Sequence, residues 1–204
     1  MMSLDEIKTY LPKYLSAESE ARLFSDLDQF PENIDKRIYT SYLKNEEIIF
    51  QGDGLEDFLV VNLPDLSINT APVMVLSNSC DIGPDKKTIL GSNIVYAPIF
   101  NLDKYINLLK EKIPQEQDFI ERHIEGIKRQ EITSIFYLPK GASLSSDSLV
   151  FLDRVNNCKS DYVEASKIQY IRLFTLSDYG FYLFLFKLSV HFTRVRERVD
   201  RKSN

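Results

Sequence analysis

The chain has 204 residues, 44% of them hydrophobic and 12% aromatic, with a formal net charge of -5. That composition excludes a disordered chain and suffices for one sizeable core, while the acidic balance excludes a protein that coats nucleic acid through many phosphate-neutralising cations. Cys80 and Cys158 are too few and too far apart for a disulfide framework or a cysteine-rich zinc site.

Residues 1–45 read as a helical arm. "SLDEIKTYL" can be capped by Ser3 with Glu6 as its reciprocal partner, and "SAESEARLFSDLDQF" by Ser16. In the second piece Ala21, Leu23, Phe24 and Leu27 form an apolar stripe, and Pro31 stops it. "NIDKRIYTSYL" is a third, shorter helical piece.

Residues 46–175 change character. "EIIFQGD", "DFLVVNL", "PVMVLSN", "NIVYAPIF", "SIFYLP" and "DSLVFLDRV" are short β-rich runs separated by turn residues. Between the fourth and fifth, residues 102–132 are charged and helical with a break at Pro114, an insertion on a β-core. Residues 176–204 form a C-terminal helix capped by Ser177, with Phe181, Phe184, Leu185, Leu188, Phe192, Val195 and Val199 on one face. Its arginines, Arg194 to Arg201, gather where the helix dipole favours cations. "FYLFLF" is broken by Lys187 and falls short of the roughly 20 residues of a membrane span, so no membrane association is expected. No secretory leader opens the chain, and a cytoplasmic location is expected.

The succession "GDGLEDFLVVNLP", "APVMVLSNS", "NIVYAPIF" and "LPKGASLSSDSLVFLDRV" resembles the PemK/MazF-like family over residues 52–155, once the helical insertion is removed. The resemblance implies an α+β fold built on a small, curved SH3-like barrel, flanked by the N-terminal helices, the insertion and the C-terminal helix. It further implies a toxin-like protein of plasmid maintenance or prokaryotic phage defence that acts on single-stranded RNA. Cleavage in such toxins needs a cation to offset charge on the phosphoryl oxygens and a positioned hydroxyl. The family's arginine before the strand proline falls on Ala71, ahead of Pro72, and its hydroxyl falls on Phe100, beside Asn101. The implied function is therefore RNA binding with ribonuclease chemistry altered or lost. The alternative is a non-catalytic module acting with a neighbouring protein or as a homodimer.

The candidate site is "SNSCDI" at the end of the third β-run. Ser77, Cys80 and Asp81 are the catalytic candidates, and Asn78 and Ser79 are donors for a phosphate, joined by Arg194 and Arg198 of the basic tail. The competing reading is a turn whose small polar side chains cap backbone groups. A cysteine nucleophile needs a histidine or cation beside it, and neither His123 nor His191 is near Cys80 in sequence. Acidic residues around Asp53, Asp57 and Asp81 have no metal-loop spacing, so neither metal nor cofactor is expected.

Overall fold

The computed structural model describes residues 16–32, 34–83 and 91–193. The expected helix at 3–11 lies outside these residues, as do Arg194, Arg198 and the rest of the basic tail.

Helix α1, Ala17–Leu27, begins as its sequence requires: the Ser16 side chain accepts from the Ser19 amide at 3.2 Å. Its buried face keeps only part of the expected stripe, in which Leu27 packs against the core. Leu23 and Asp26 are buried and Ala21 is exposed. Asp26 turns inward because Arg37 pairs with it. The third helical piece lasts one turn, α2 at Ile34–Arg37, after which β1, Tyr39–Thr40, joins a sheet by pairing with β8, Arg172–Leu176.

The remaining strands are β2 (Gly54–Asn62), β3 (Asp65–Val75), β4 (Asn93–Asn101), β5 (Ile135–Leu138), β6 (Ser148–Phe151) and β7 (Asn156–Lys159). All their pairings are antiparallel, in the order β1-β8-β2-β3-β4-β6-β5, with β7 alongside β4. The fold is thus α+β on an antiparallel sheet whose path, among the described residues, ends openly at β1 and β5.

The strands β1, β7 and β8 lie outside the expected runs, and two of those runs behave differently from expectation. "EIIFQGD" is not a strand: the Ile48 carbonyl accepts from Arg172, as described below, and residues 50–53 turn so that the Asp53 amide donates to the Phe50 carbonyl at 3.0 Å. β3 begins six residues before "APVMV", so the segment "DLSINT" is strand rather than loop.

The insertion forms as expected: α4, Leu102–Lys112, and α5, Gln117–Lys128, flank Pro114. Asn101 caps α4 by accepting from the Lys104 amide at 2.8 Å. After the single turn α6, Ile168–Ile171, the C-terminal helix α7 spans Asp178–Thr193, with Gly180, Leu183, Phe184 and Lys187 buried at i, i+3, i+4, i+7 while Phe192 is exposed. Gly180 permits this docking, since a Cβ there would lie 2.2 Å from the Ile38 carbonyl oxygen. Lys187 reaches the buried face because its ammonium donates to the Gln130 carbonyl just past α5. Burial pushes its pKa down to about 8, opposed by Glu131.

Apolar residues lie on both faces of the central strands. Met74 of β3 packs with Ala97, Phe136, Leu149, Phe174 and Phe184 in one cluster. Its neighbours Val73 and Val75 point the other way, into a second cluster with Leu55, Phe58, Ile94, Tyr96 and Ile168. No described helix is long and apolar enough to cross a membrane.

Candidate functional site

"SNSCDI" sits where β3 leaves the sheet, and its small polar side chains are engaged by the backbone. Ser77 Oγ accepts from the Val95 amide at 2.7 Å and donates to the Asn93 carbonyl at 3.4 Å. Asn78 caps the single turn α3, Ser79–Ile82, by accepting from the Cys80 amide at 2.9 Å. Ser79 Oγ accepts from the Gln51 amide at 2.8 Å, and the Gln51 side chain returns a bond to the Leu76 carbonyl at 2.7 Å. The segment thereby fastens β3 to β4 and to the turn before β2. Cys80 and Asp81 are exposed, and the Cys80 thiol makes no hydrogen bond among the described residues. The three surface cavities described are lined by other residues.

The positions that the resemblance marks hold neither a cation nor a hydroxyl. Ala71 is half-buried on β3, ahead of Pro72. Phe100 belongs to an aromatic group on β4 and β6, where its ring lies 5.2 Å from that of Phe151. The exposed Arg154 guanidinium sits over both rings, 4.2 Å from Phe151 and 5.0 Å from Phe100, in range for cation–π attraction. Tyr105 packs on Phe151 at 5.7 Å and bonds His123 Nε2 at 3.0 Å, while Phe119 stacks on the His123 ring. Burial holds the His123 pKa below its ordinary value. No cluster of His, Cys, Asp and Glu able to hold a metal is found among the described residues.

An ion pair with no local signal in the sequence lies in the interior. Arg172 of β8 and Asp53 just before β2 are buried, with Nε 3.2 Å from Oδ2. Burial raises the Asp53 pKa against the opposing attraction of Arg172 and a bond from the Phe50 amide at 3.0 Å. The other Arg172 nitrogens collect the carbonyls of Leu43 at 2.7 Å, Lys44 at 3.1 Å, Glu46 at 2.8 Å and Ile48. Asp53 is therefore a structural anion whose partner ties the 43–48 segment to the sheet. It has no route to act as a general base on a substrate in solution.

The surface least explained by folding is the outer half of the β2–β3 hairpin. Leu59 registers against Thr70 and Val61 against Ile68, so these four share one face. Leu59 is exposed on that face, as is Ile68 at 63%, and the tip adds Leu63 at 77% and Leu66 at 78%. β3 pairs with β4 only at Val73–Val75, so among the described residues no strand covers its other edge from Asp65 to Ala71. The sequence signal available for this surface was the alternation Leu66, Ile68, Thr70 within "DLSINT", whose polar members disguised a strand.

Compared with known proteins, the chain matches no family model and no curated sequence.

Proposed function

We propose that this protein is a non-catalytic interaction module that engages a partner protein through the outer half of the β2–β3 hairpin. The observation that carries this reading is the exposed apolar group of Leu59, Leu63, Leu66 and Ile68 on a ribbon projecting from a well-packed sheet. Exposed aliphatic side chains gathered in one patch mark interaction surfaces, whereas scattered ones are ordinary. The lost cation and hydroxyl at Ala71 and Phe100, and the backbone bonds that occupy Ser77, Asn78 and Ser79, weigh against a cleavage centre. The test is recovery of tagged wild-type protein and a Leu63→Ser/Leu66→Ser variant from cross-linked source cells. The reading expects a protein held by the wild type and lost from the variant, with the thermal melt of the module unchanged. Equal retention by both would contradict it.

The second reading is an RNA-binding barrel of the PemK/MazF-like kind, serving plasmid maintenance or phage defence with ribonuclease chemistry altered or lost. Its SH3-like curvature draws support from the way β2 bends toward β7 without pairing with it. The Val61 amide donates to Asn156 Oδ1 at 2.9 Å, and Tyr96 Oη donates across the second cluster to the Leu59 carbonyl at 2.6 Å. The exposed Arg154 over Phe100 and Phe151 supplies a cation beside rings suited to base stacking. Retention of labelled single-stranded RNA at low salt, abolished by Arg154→Ala, is the result this reading expects. Its absence removes it.

A further inference from the structure

We propose that a second copy of this chain docks on the free edge of β3, residues 65–71, as an antiparallel strand related by a two-fold axis at Ile68. This deepens the interaction-module reading by naming what the hairpin's edge binds. Among the described residues this edge of seven residues pairs with no strand, and it offers backbone donors and acceptors to any compatible one. Soluble proteins blunt such edges with lysine, proline or an inward charge. Between Asp65 and Ala71 there is no lysine, arginine or proline. The lone charge, Asp65, is engaged by its own segment: its carboxylate accepts from the Ser67 amide and the Ser67 hydroxyl, each at 2.9 Å.

Charge and size both suit self-pairing. A two-fold axis at Ile68 opposes Asp65 with Ala71, Leu66 with Thr70, Ser67 with Asn69, and Ile68 with its copy. No like charges face each other, and each larger side chain except Ile68 meets a smaller or polar one. An axis perpendicular to the ribbon also keeps each copy's Leu59, Val61 and Ile68 on the same side. The two exposed faces thus join into one four-stranded apolar face that a single copy does not possess. A seven-residue strand pair is smaller than a standard stable interface, so the dimer is weak and concentration-dependent. Because each copy carries a net charge of -5, added salt screens mutual repulsion and strengthens the dimer.

Sedimentation velocity of the full chain, from low micromolar to several hundred micromolar, tests the inference. A monomer–dimer equilibrium is expected, tightened by salt and weakened at least about tenfold by Ile68→Lys, which places two ammonium groups face to face. Ile68→Cys in a Cys80→Ser background is expected to form a disulfide-linked dimer on mild oxidation. Tyr42→Cys in the same background, at a residue 94% exposed, is expected to remain single under the same conditions. A chain that stays monomeric throughout, or a dimer indifferent to Ile68→Lys, overturns the proposal. A monomer that still loses its partner through Leu63→Ser/Leu66→Ser overturns only the self-pairing. A dimer that holds no partner protein supports self-pairing and counts against the wider reading.

Discussion

The two halves of β3 belong to one strand of eleven residues yet live in different environments. From Val73 to Val75 the strand is buried on both faces, with β2 on one side and β4 on the other. From Asp65 to Thr70 it is exposed and, among the described residues, pairs with β2 alone. Pro72 lies at the divide. The inner half gains its stability from packing; the outer half is stabilised by a single hairpin neighbour and carries apolar residues that contribute little to the core. Apolar side chains outside the core, on a ribbon anchored by a rigid base, suit the proposed recognition surface.

Substitutions sharpen this contrast. The largest loss is expected outside β3, at the clamp supporting its base: Arg172→Leu strands the buried Asp53 carboxylate and four loop carbonyls, costing about 3–5 kcal/mol in urea unfolding. Met74→Ala, in the inner half, opens a cavity and costs about 2–5 kcal/mol. If Ile68→Ala in the outer half costs as much as Met74→Ala, the two halves are not distinct in the way described.

Lys187 gives a test in pH. Its folded pKa of about 8 lies below the ordinary 10.5, so between these values the unfolded chain holds more protons and stability rises with pH. The full rise is at most about 3 kcal/mol, and Lys187→Met is expected to flatten it. Ser77→Ala removes the acceptor of the Val95 amide and is expected to cost about 1–2 kcal/mol, a structural rather than a catalytic effect. Ile68→Ala in the outer half is the smallest, below about 0.5 kcal/mol in the dilute monomer.

Much of the helical scaffold was legible because its signals are local. Ser16 capped α1, Pro114 divided α4 from α5, and "NIVYAPIF" became β4. What escaped depends on distant partners. β8 contains Arg172, and only the carbonyls of the 43–48 segment and Asp53 explain why an arginine sits in a buried strand. The Ile48 carbonyl's bond to Arg172 and the turn between Phe50 and Asp53 likewise take "EIIFQGD" out of strand pairing. Lys187 interrupted the apolar run of α7 as though it faced water, yet the Gln130 carbonyl draws it inward. "SNSCDI" looked like chemistry because small polar residues serve both catalysis and turns, and only the positions of Gln51 and Val95 reveal which backbone amides they accept. "DLSINT" fell between the expected β-runs because a strand exposed on both faces carries no burial pattern to read.

Amide hydrogen exchange across β3, measured in dilute and concentrated protein, tests most directly whether its outer half is an interface. The peptide containing residues 65–71 is expected to exchange quickly when dilute and to gain protection as concentration rises, while residues 73–75 remain protected throughout. Protection of 65–71 that is already complete in dilute protein, or that never changes with concentration, would contradict the account.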